Sequence, residues 1–236
     1  IEQLISSSTH DMLLFFTNSG KVYSMKGYEV PEYGRAAQGI PIINLLGINN
    51  KEKISAVINV SHETNDDDKY LFFTTKLGTV KRTAVTEFKN IRSNGLKALN
   101  LHENDELIDV EVISEDQPMI IGTHNGYALS FKSSVVRSMG RSAAGVRGIR
   151  LRDEDYVIGA APLNPDSKVL VISENGFGKQ TPASEYPIKG RGGLGVKTVN
   201  VTAKNGPLVG LTTVNGDEDI MLVTDQGVII RFDIES

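Results

Sequence analysis

A short pattern of two apolar segments around a glycine-containing turn appears five times in this 236-residue chain. The copies read LLFFTNSGKVYSM, YLFFTTKLGTVKRT, MIIGTHNGYALSF, VLVISENGFGKQT and IMLVTDQGVIIRF. Their turn glycines are Gly20, Gly78, Gly126, Gly176 and Gly227. An interval of about 50 residues between equivalent turns indicates a repeat architecture, in which each unit is completed by its neighbours.

A second, glycine-rich pattern follows the first at a fixed distance. Its key glycines are Gly39, Gly95, Gly145 and Gly195, which lie 17 or 19 residues after the turn glycine of the same unit. In the second unit the two patterns predict four short strands, at 54–60, 70–75, 79–85 and 95–101. The pairs Asn125-Gly126 and Asn175-Gly176 favour type I′ hairpin turns, because both residue types tolerate positive φ.

Four short strands per repeat are typical of a β-propeller blade. The period is too long for a β-helix, and the turns repeat too regularly for a β-sandwich. We therefore predict one all-β, β-propeller-like domain over 1–236, built from four-stranded blades of about 50 residues. The repeat units are expected at about 1–48, 49–101, 102–152 and 153–201, with a partial unit at 202–236. The last unit lacks the glycine-rich segment, so we expect the intact domain to continue.

The segment GRGGLG, residues 190–195, has the glycine spacing of a dinucleotide-binding loop. Such a loop must pass from a strand into a helix, but here Gly195 leads into VKTVNV, whose Val and Thr residues favour a strand. The Gly-Lys-Ser/Thr sequence that ends a P-loop is also missing. A glycine-rich connector into a strand is therefore the favoured interpretation.

Composition points to a soluble, globular chain without a catalytic centre. Cysteine is absent, which removes disulfides and thiolate chemistry and fits a reducing cytoplasm. The four His residues lack metal-ligand spacing, and NDDDK at 65–69 lacks the glycine and distal Glu of an EF-hand loop. Neither a metal nor a cofactor is predicted. With no apolar run of about 18 residues, no membrane partner is predicted either.

The net charge of −4 conceals a segregation of charge along each unit. Segments 76–101, 132–152 and 179–197 are basic, whereas 102–131 has carboxylates and no Lys or Arg. Because equivalent positions of successive units lie at equivalent places in a repeat fold, we expect a basic belt that follows its curvature. A single charged run would be an ordinary solvated surface, but three runs in phase favour a polyanion-binding surface. The candidate DNA-binding residues are Arg35, Lys81, Arg82, Lys89, Arg92, Lys97, Arg137, Arg141, Arg147, Arg150, Lys179, Lys189, Arg191 and Lys197.

The repeats resemble a known family. The stretches LLFFTNSGKVYSMKGYEVPEYGRAAQGIPIINLL, GRSAAGVRGIRL and GRGGLGVKTVNV are similar to the C-terminal domain of the A subunit of type IIA topoisomerases, that of DNA gyrase in particular. The resemblance covers the whole chain. It implies a β-pinwheel whose blades exchange strands and whose rim wraps duplex DNA to support negative supercoiling. It also implies partnership with the rest of the A subunit of gyrase and with the gyrase B subunit, in the nucleoid of a bacterial cytoplasm.

One departure from the family concerns its basic box, Gln-Lys/Arg-Arg-Gly-Gly-Lys/Arg-Gly. The box-like loop here is a degenerate copy, formed by Lys189, Gly190, Arg191, Gly192, Gly193, Leu194 and Gly195. We expect the true box immediately upstream of Ile1, so that this chain would bind DNA but wrap it poorly. Three alternatives stay open: the corresponding domain of topoisomerase IV, a protein-binding propeller, and a propeller hydrolase, for which no converging carboxylates or His residues are found.

Overall fold

A computed structural model describes residues 5–34, 36–61, 66–92, 94–216, 218–223 and 229–233. The candidate Arg35 and the turn glycine Gly227 lie outside these residues. The described elements are β1 (Met12–Thr17), β2 (Lys21–Lys26), α1 (Ile42–Leu46), β3 (Ile54–Val60), β4 (Tyr70–Thr75), β5 (Thr79–Ala84), β6 (Leu96–Lys97), β7 (Leu107–Ile113), β8 (Pro118–Thr123), β9 (Tyr127–Lys132), β10 (Val146–Arg147), β11 (Val157–Pro162), β12 (Lys168–Ser173), β13 (Gly178–Pro182), β14 (Val196–Lys197), β15 (Leu208–Val214), β16 (Asp219–Val223) and β17 (Ile229–Asp233).

The strands form a series of antiparallel sheets, which we call blades. Blade 1 has the strand order β3-β1-β2-β6, blade 2 has β7-β4-β5-β10, and blade 3 has β11-β8-β9-β14. Blade 4 has the order β15-β12-β13, and β16 pairs with β17 in a separate hairpin. Neighbouring blades pack through their first strands, since β3 lies against β7, β7 against β11 and β11 against β15. These strands are the inner edge of the array, and β6, β10 and β14 are therefore its outer strands. The all-β, propeller-like prediction is confirmed.

The blades do not coincide with the sequence units. Strands β3 and β6 flank β4 and β5 along the chain, yet both belong to blade 1, whereas β4 and β5 belong to blade 2. Each unit thus gives its first and last strands to the preceding blade, which is the strand exchange that the resemblance implied. Because the sheets cut across the units, the limits of the units remain a prediction.

The predicted strands of the second unit differ from the structure mainly at the end. The structure has 54–60 and 70–75 as predicted and ends the third strand at Ala84. The fourth, predicted over 95–101, contains only Leu96 and Lys97. The rest of that segment leaves the strand conformation because the chain turns inward, where Ala98 and Leu99 are buried between blades 1 and 2.

The core consists of apolar clusters between adjacent blades. Phe16 of β1 meets Phe73 of β4 edge to face, with ring centres 5.5 Å apart, and Phe88 joins them at 6.0 Å from each ring. Between blades 2 and 3 the equivalent cluster contains Phe72 and Phe131. Burial of each such side chain stabilises the fold by about 1.5–3 kcal/mol, so the stacking of blades supplies most of the apolar stabilisation.

The hairpin turns share a geometry that is not the predicted type I′. Gly126 and Gly176 have positive φ, but among the described residues the only other types with positive φ are Asn104 and Glu154. The Asn residues before the glycines therefore do not adopt it, and the type I′ prediction is wrong. Instead, the Gly126 N–H donates to the Thr123 carbonyl at 3.0 Å, and the Thr123 hydroxyl accepts the next N–H at 3.2 Å. The sequence signal for this type of turn is therefore the Thr or Ser that lies three residues before each turn glycine.

Buried carboxylates explain part of the charge segregation. Asp105 Oδ1 accepts the Leu77 N–H at 2.9 Å, and Asp155 Oδ1 accepts the Asn125 N–H at 2.9 Å. Each aspartate thereby ties the start of an inner strand to the hairpin turn of the same blade, which the preceding sequence unit supplies. Glu52, at the equivalent place, accepts from the Thr17 hydroxyl and from Tyr23. The acidic connectors therefore contain carboxylates that attach each exchanged inner strand to the hairpin of its blade.

The first unit differs from the others after its hairpin. Where they have an outer strand, it has α1, which begins after Pro41 and ends at Gly47, a left-handed residue suited to the end of a helix. Ile43 and Leu45 lie on this helix and are partly buried against blade 1.

Candidate nucleic-acid interface

The outer strands present three cations at equivalent positions. Lys97, Arg147 and Lys197 are each the second residue of their strand, and each is exposed. In register they lie opposite the first residue of the strand that follows the hairpin turn, for example Lys97 opposite Lys21. The strand exchange therefore places these three side chains at corresponding points on the outer edges of blades 1, 2 and 3.

One backbone contact attaches each outer strand to its blade. The carbonyl of Gly78 accepts N–H groups from Gly148 and Ile149 at 2.8 and 3.2 Å. Gly20 and Gly126 accept two N–H groups in the same way from the segments after β6 and β14. A Cβ on Gly78 would lie 2.8 Å from the Ile149 carbonyl oxygen, so the turn must be glycine both for its φ of +89° and for this close approach.

The glycine-rich segment before β10, residues 136–145, is called loop 3. It carries Arg137, which is exposed, and Arg141, which is partly exposed. The loop is fixed to blade 2, because the Met139 N–H donates to the Arg82 carbonyl at 2.8 Å and the Arg141 N–H donates to Glu87 Oε2 at 3.2 Å. Arg141 and Lys97 line an open groove of about 350 Å³ between this loop and β6.

The corresponding segment before β14, residues 186–195, is called loop 4 and contains the box-like sequence. Lys189, Gly190, Arg191, Gly193 and Leu194 are all exposed. The Gly192 N–H donates to the Gly148 carbonyl at 2.6 Å, and Arg191 Nη1 donates to the Arg147 carbonyl at 3.1 Å. Loop 4 thus lies along the outer strand of the preceding blade and brings Arg191 beside Arg147. It leads into β14, so the strand interpretation of GRGGLG is confirmed.

The glycines of loop 4 have a structural role in the fold, independent of any ligand. A Cβ on Gly195 would lie 2.6 Å from the Ala128 carbonyl oxygen, and the φ of Gly195 is +74°. The Gly192 N–H already donates to a protein carbonyl, that of Gly148, and is not free to bind a phosphate. The spacing of the box-like sequence is therefore required for docking the loop on blade 3.

Two of the candidate residues are buried, contrary to the expectation that they contact DNA. Lys81 is enclosed, and its Nζ donates to the carbonyls of Ala98 and Arg141 at 2.5 and 2.6 Å. Arg82 donates to the carbonyls of Val136 and Glu115 and stacks on the ring of Tyr70. Lys81 and Arg82 are adjacent on β5, so their side chains point to opposite faces of blade 2. Both faces are covered by neighbouring segments, so both side chains are buried, and a count of charges along the sequence does not show this.

The remaining candidates are exposed, with different neighbours. Lys89 forms an ion pair with Asp67, a residue of the NDDDK segment, and Lys179 Nζ donates to the Thr198 carbonyl at 2.9 Å. The Arg150 N–H donates to the Gly193 carbonyl while its side chain stays exposed, as does that of Arg92. The candidate residues that the outer strands and their loops leave accessible are Lys97, Arg137, Arg141, Arg147, Arg150, Lys189, Arg191 and Lys197, with Arg92 and Lys179 at the margins of this surface.

The residue-by-residue prediction missed Lys21 and Arg152. Lys21 is exposed and pairs in register with Lys97, and Arg152 donates to the Leu194 carbonyl at 2.6 Å while lying 3.5 Å above the ring of Tyr127. The signal for Lys21 was its place directly after a turn glycine. The residue after a turn glycine pairs with an outer strand only because the next sequence unit supplies that strand to the blade. Composition does not show this exchange of strands.

Other classes of site find little support in the described part of the chain. It contains no group of three His, Asp or Glu residues that could hold a metal ion. In the acidic run, Asp66 pairs with Lys69 at 3.0 Å, so the segment is a salt-bridged surface loop. None of the helical segments in the described ranges has the length and apolar character needed to cross a membrane.

The fold and the site define a β-pinwheel, a strand-exchanged propeller with a cationic outer edge. A sequence model of the family described as "DNA gyrase C-terminal domain, beta-propeller" matches residues 11–61, 69–114, 117–164, 167–215 and 218–236. The chain therefore belongs to the family of DNA gyrase C-terminal domains, which are domains of a type IIA topoisomerase.

Curated relatives agree with this assignment. The chain is 65% identical to the DNA gyrase A subunit of Streptococcus pneumoniae serotype 4 over 231 residues, which cover 98% of the chain and 28% of the relative. It is 59% identical to the DNA gyrase A subunit of Halalkalibacterium halodurans over 235 residues, again 28% of the relative. The chain thus spans little more than a quarter of the length of these bacterial proteins.

Solved structures share the architecture. The C-terminal domain of DNA topoisomerase IV superposes with a TM-score of 0.84 at 29% identity, covering 96% of this chain and 71% of that one. A DNA gyrase A C-terminal domain gives a TM-score of 0.80 at 29% identity, covering 95% and 72%. Backbone likeness does not separate the two enzymes, whereas the 65% identity to the A subunit of gyrase does.

Proposed function

We propose that this domain binds duplex DNA along its outer edge and bends it, as part of the A subunit of gyrase. The observation that carries the proposal is the exposure of Lys97, Arg147 and Lys197 at equivalent positions of three successive outer strands. A duplex presents regularly spaced phosphates, so cations repeated in step with the blades are complementary to a backbone that follows their curve.

The chemistry of the edge supports binding without sequence preference. Lys and Arg side chains neutralise phosphates and release counterions, whereas base readout needs side chains on an element that enters a groove. The outer strands are two residues long and edge-on, which suits backbone contact. Bending 20–30 bp by 40–90° costs about 1–6 kcal/mol, a cost that counterion release from several phosphates can offset.

The partners follow from this assignment. We propose duplex DNA as the ligand, the remainder of the A subunit of gyrase as the covalent neighbour, and the gyrase B subunit, in the whole enzyme, as a further partner at the bacterial nucleoid. The bent duplex would be delivered to the part of the enzyme that cleaves and passes DNA, so that wrapping biases the topology toward negative supercoils.

Charge reversal at the edge tests the proposal. The triple variant Arg141→Glu, Arg147→Glu, Arg191→Glu should weaken binding to a 40-mer duplex at least about 100-fold, and for all sequences alike. A matched triple variant, Lys51→Glu, Lys53→Glu, Lys168→Glu, changes the net charge equally at exposed sites away from the outer strands and their loops. Duplex affinity is measured by fluorescence anisotropy. An equal loss of affinity in both triple variants would contradict binding at the outer edge and would indicate general charge attraction instead.

A protein-binding propeller is distinguished by the same titration. If the edge binds protein rather than DNA, the unmodified chain shows no salt-sensitive anisotropy change with any duplex. Such a result would reject the proposed DNA binding and would leave the assignments of fold and family unchanged.

A further inference from the structure

Lys81 is buried to an extent that lysine rarely reaches. The side chain, on β5 of blade 2, has no exposed surface, and its Nζ lies 5.1 Å from the ring centre of Phe73. Its two carbonyl acceptors belong to different segments, Ala98 just after β6 and Arg141 in loop 3. A buried ammonium is stable only where such acceptors replace water, so the contacts are obligatory for the side chain and the segments alike.

Arg141 is held on both sides of its Cα atom. Its carbonyl accepts from Lys81 Nζ at 2.6 Å, and its N–H donates to Glu87 Oε2 at 3.2 Å. These groups belong to the two peptide units that flank the residue, so a cation and a carboxylate together fix its backbone torsions. The loop around Arg141 is thus attached to blade 2 by side chains as well as by the Met139–Arg82 backbone hydrogen bond.

The buried ammonium is specific to blade 2. The equivalent position, three residues after the turn glycine, is Tyr23 in blade 1, Leu129 in blade 3 and Lys179 in blade 4. Leu129 offers loop 4 no hydrogen-bond donor; its methyl group lies 3.7 Å from the position that a Cβ on Gly193 would take. Lys179 is exposed and has one carbonyl acceptor.

We propose that Lys81 is a positioning residue for the DNA-binding edge: it ties loop 3 to β6 so that Arg141 is presented beside Lys97. This inference rests on the proposed DNA-binding function. Lys81 itself reaches no ligand, since it is enclosed; it acts through the backbone of Arg141. Blade 2 therefore uses an internal cation to fix the position of external ones.

The charged groups around Lys81 give the proposal a pH signature. Burial lowers the pKa of Lys81 to about 8, against the opposing attraction of Glu87, and Arg141 lowers that pKa further. Of the elements packed against it, β4 presents Phe73 and the β6 segment presents the Ala98 carbonyl, with Lys97 exposed beside it. An opened loop would let water reach the ammonium and restore its ordinary pKa, so the open state binds more protons. The closed loop must therefore gain stability as pH rises through 8.

Hydrogen exchange measures the loop without DNA. In the full chain with Lys81→Met, the amide protection of a peptide covering loop 3 should fall about tenfold, because two carbonyls lose their donor. Protection of a loop 4 peptide in the same molecule is the internal control. The matched variant is Lys168→Met, at an exposed site on β12, in which loop 3 protection should also stay within about twofold. In the unmodified chain, loop 3 protection corrected for the intrinsic exchange rate should rise about tenfold between pH 7 and pH 9.

A DNA titration completes the test. Lys81→Met should weaken duplex binding several-fold although no exposed charge is lost, and Lys168→Met, at an exposed site away from the outer strands, should not. Unchanged loop 3 protection in Lys81→Met, or a flat pH profile in the unmodified chain, overturns the positioning role whatever DNA does. Loosening of the loop with unchanged DNA affinity also overturns it. Failure of the unmodified chain to bind DNA rejects the proposed function instead, while the exchange data still decide whether Lys81 holds the loop.

Discussion

Loops 3 and 4 are the same element of two successive repeats, yet different side chains support them. The buried ammonium of Lys81 donates to the Arg141 carbonyl of loop 3, whereas the equivalent residue near loop 4 is the apolar Leu129, whose methyl group lies 3.7 Å from the position that a Cβ on Gly193 would take. Their outer strands are attached identically, through paired N–H groups that donate to the carbonyls of Gly78 and Gly126. The repeat thus keeps the backbone attachment of the basic edge and leaves the support beneath it free to vary.

The shared attachment should be the most sensitive feature. Gly78→Ala and Gly126→Ala force a Cβ to 2.8 and 2.5 Å from a carbonyl oxygen at φ values of +89° and +88°. Each should lower the free energy of unfolding by about 3 kcal/mol, the sum of left-handed strain and a steric clash. Gly176→Ala is the control: φ is +81°, but nothing lies within 4 Å, so the cost should be only about 1 kcal/mol. Equal losses in urea unfolding for the three variants would contradict the role given to the close approach.

The different supports should respond differently to one replacement. Lys81→Met leaves the Ala98 and Arg141 carbonyls without their donor and should cost about 2 kcal/mol of unfolding free energy. Leu129→Met conserves apolar volume and should cost less than about 1.5 kcal/mol. Thermal unfolding of both variants measures the difference, and a Leu129→Met loss as large as that of Lys81→Met would mean that the two loops are supported alike.

The inner strands of blades 2 and 3 also differ. Asp109 and Glu111 of β7 pair in register with Thr74 and Phe72, at the places that Gly159 and Ala161 occupy in β11. Burial is the main cause that raises the pKa of both carboxyls, and their mutual contact adds to the effect at Asp109.

A raised folded-state pKa makes this pair favour folding most at low pH. The contribution is complete below the unfolded pKa of about 4 and is lost as pH rises through the folded value. Asp109→Asn should therefore stabilise the domain by on the order of 1 kcal/mol at pH 8, with the gain shrinking toward pH 4. The control is Asp166→Asn, at an exposed site, where no pH-dependent gain is expected. Denaturant unfolding across this range that shows Asp109→Asn to be destabilising at pH 8 would refute the assignment.

The smallest expected effect concerns the residue that the sequence prediction missed. Lys21→Gln removes one exposed cation opposite Lys97, and it should reduce DNA affinity only a few-fold while making the salt dependence less steep by about one unit. Lys26→Gln, at the far end of the same strand, is the control. Anisotropy titrations at two salt concentrations distinguish them, and identical slopes would remove Lys21 from the edge.

Much of the fold could be predicted from the repeat. The interval between turn glycines and the apolar runs around them indicated the blades, and β3 and β4 have the predicted limits. The exchange of strands could not be predicted from the pattern itself, because a strand at a unit boundary has the same alternation whichever neighbour it pairs with. The Asn-Gly pair predicts the wrong turn type, because the hydroxyl of Thr123 accepts a backbone N–H and determines the geometry of the turn.

The candidate site was predictable at the level of segments rather than residues. Charge phasing identified the segments that contain Lys97, Arg147 and Lys197, all of which are exposed on outer strands. Charge phasing could not separate the buried Lys81 and Arg82 from these exposed residues. In a sequence, a basic residue that donates to buried carbonyls cannot be distinguished from one that is free to bind phosphates. Only the packing of loop 3 over β5 makes that distinction.

The salt dependence of binding to a 40-mer duplex tests the account most directly. If about six phosphates are neutralised by the outer edge, the logarithm of the association constant should fall with the logarithm of salt concentration at a slope near −5. The Arg141, Arg147 and Arg191 charge-reversal variant should flatten that slope by roughly the number of cations removed. A slope near zero for the unmodified chain, or one that the variant leaves unchanged, would contradict a DNA-binding edge built from these residues.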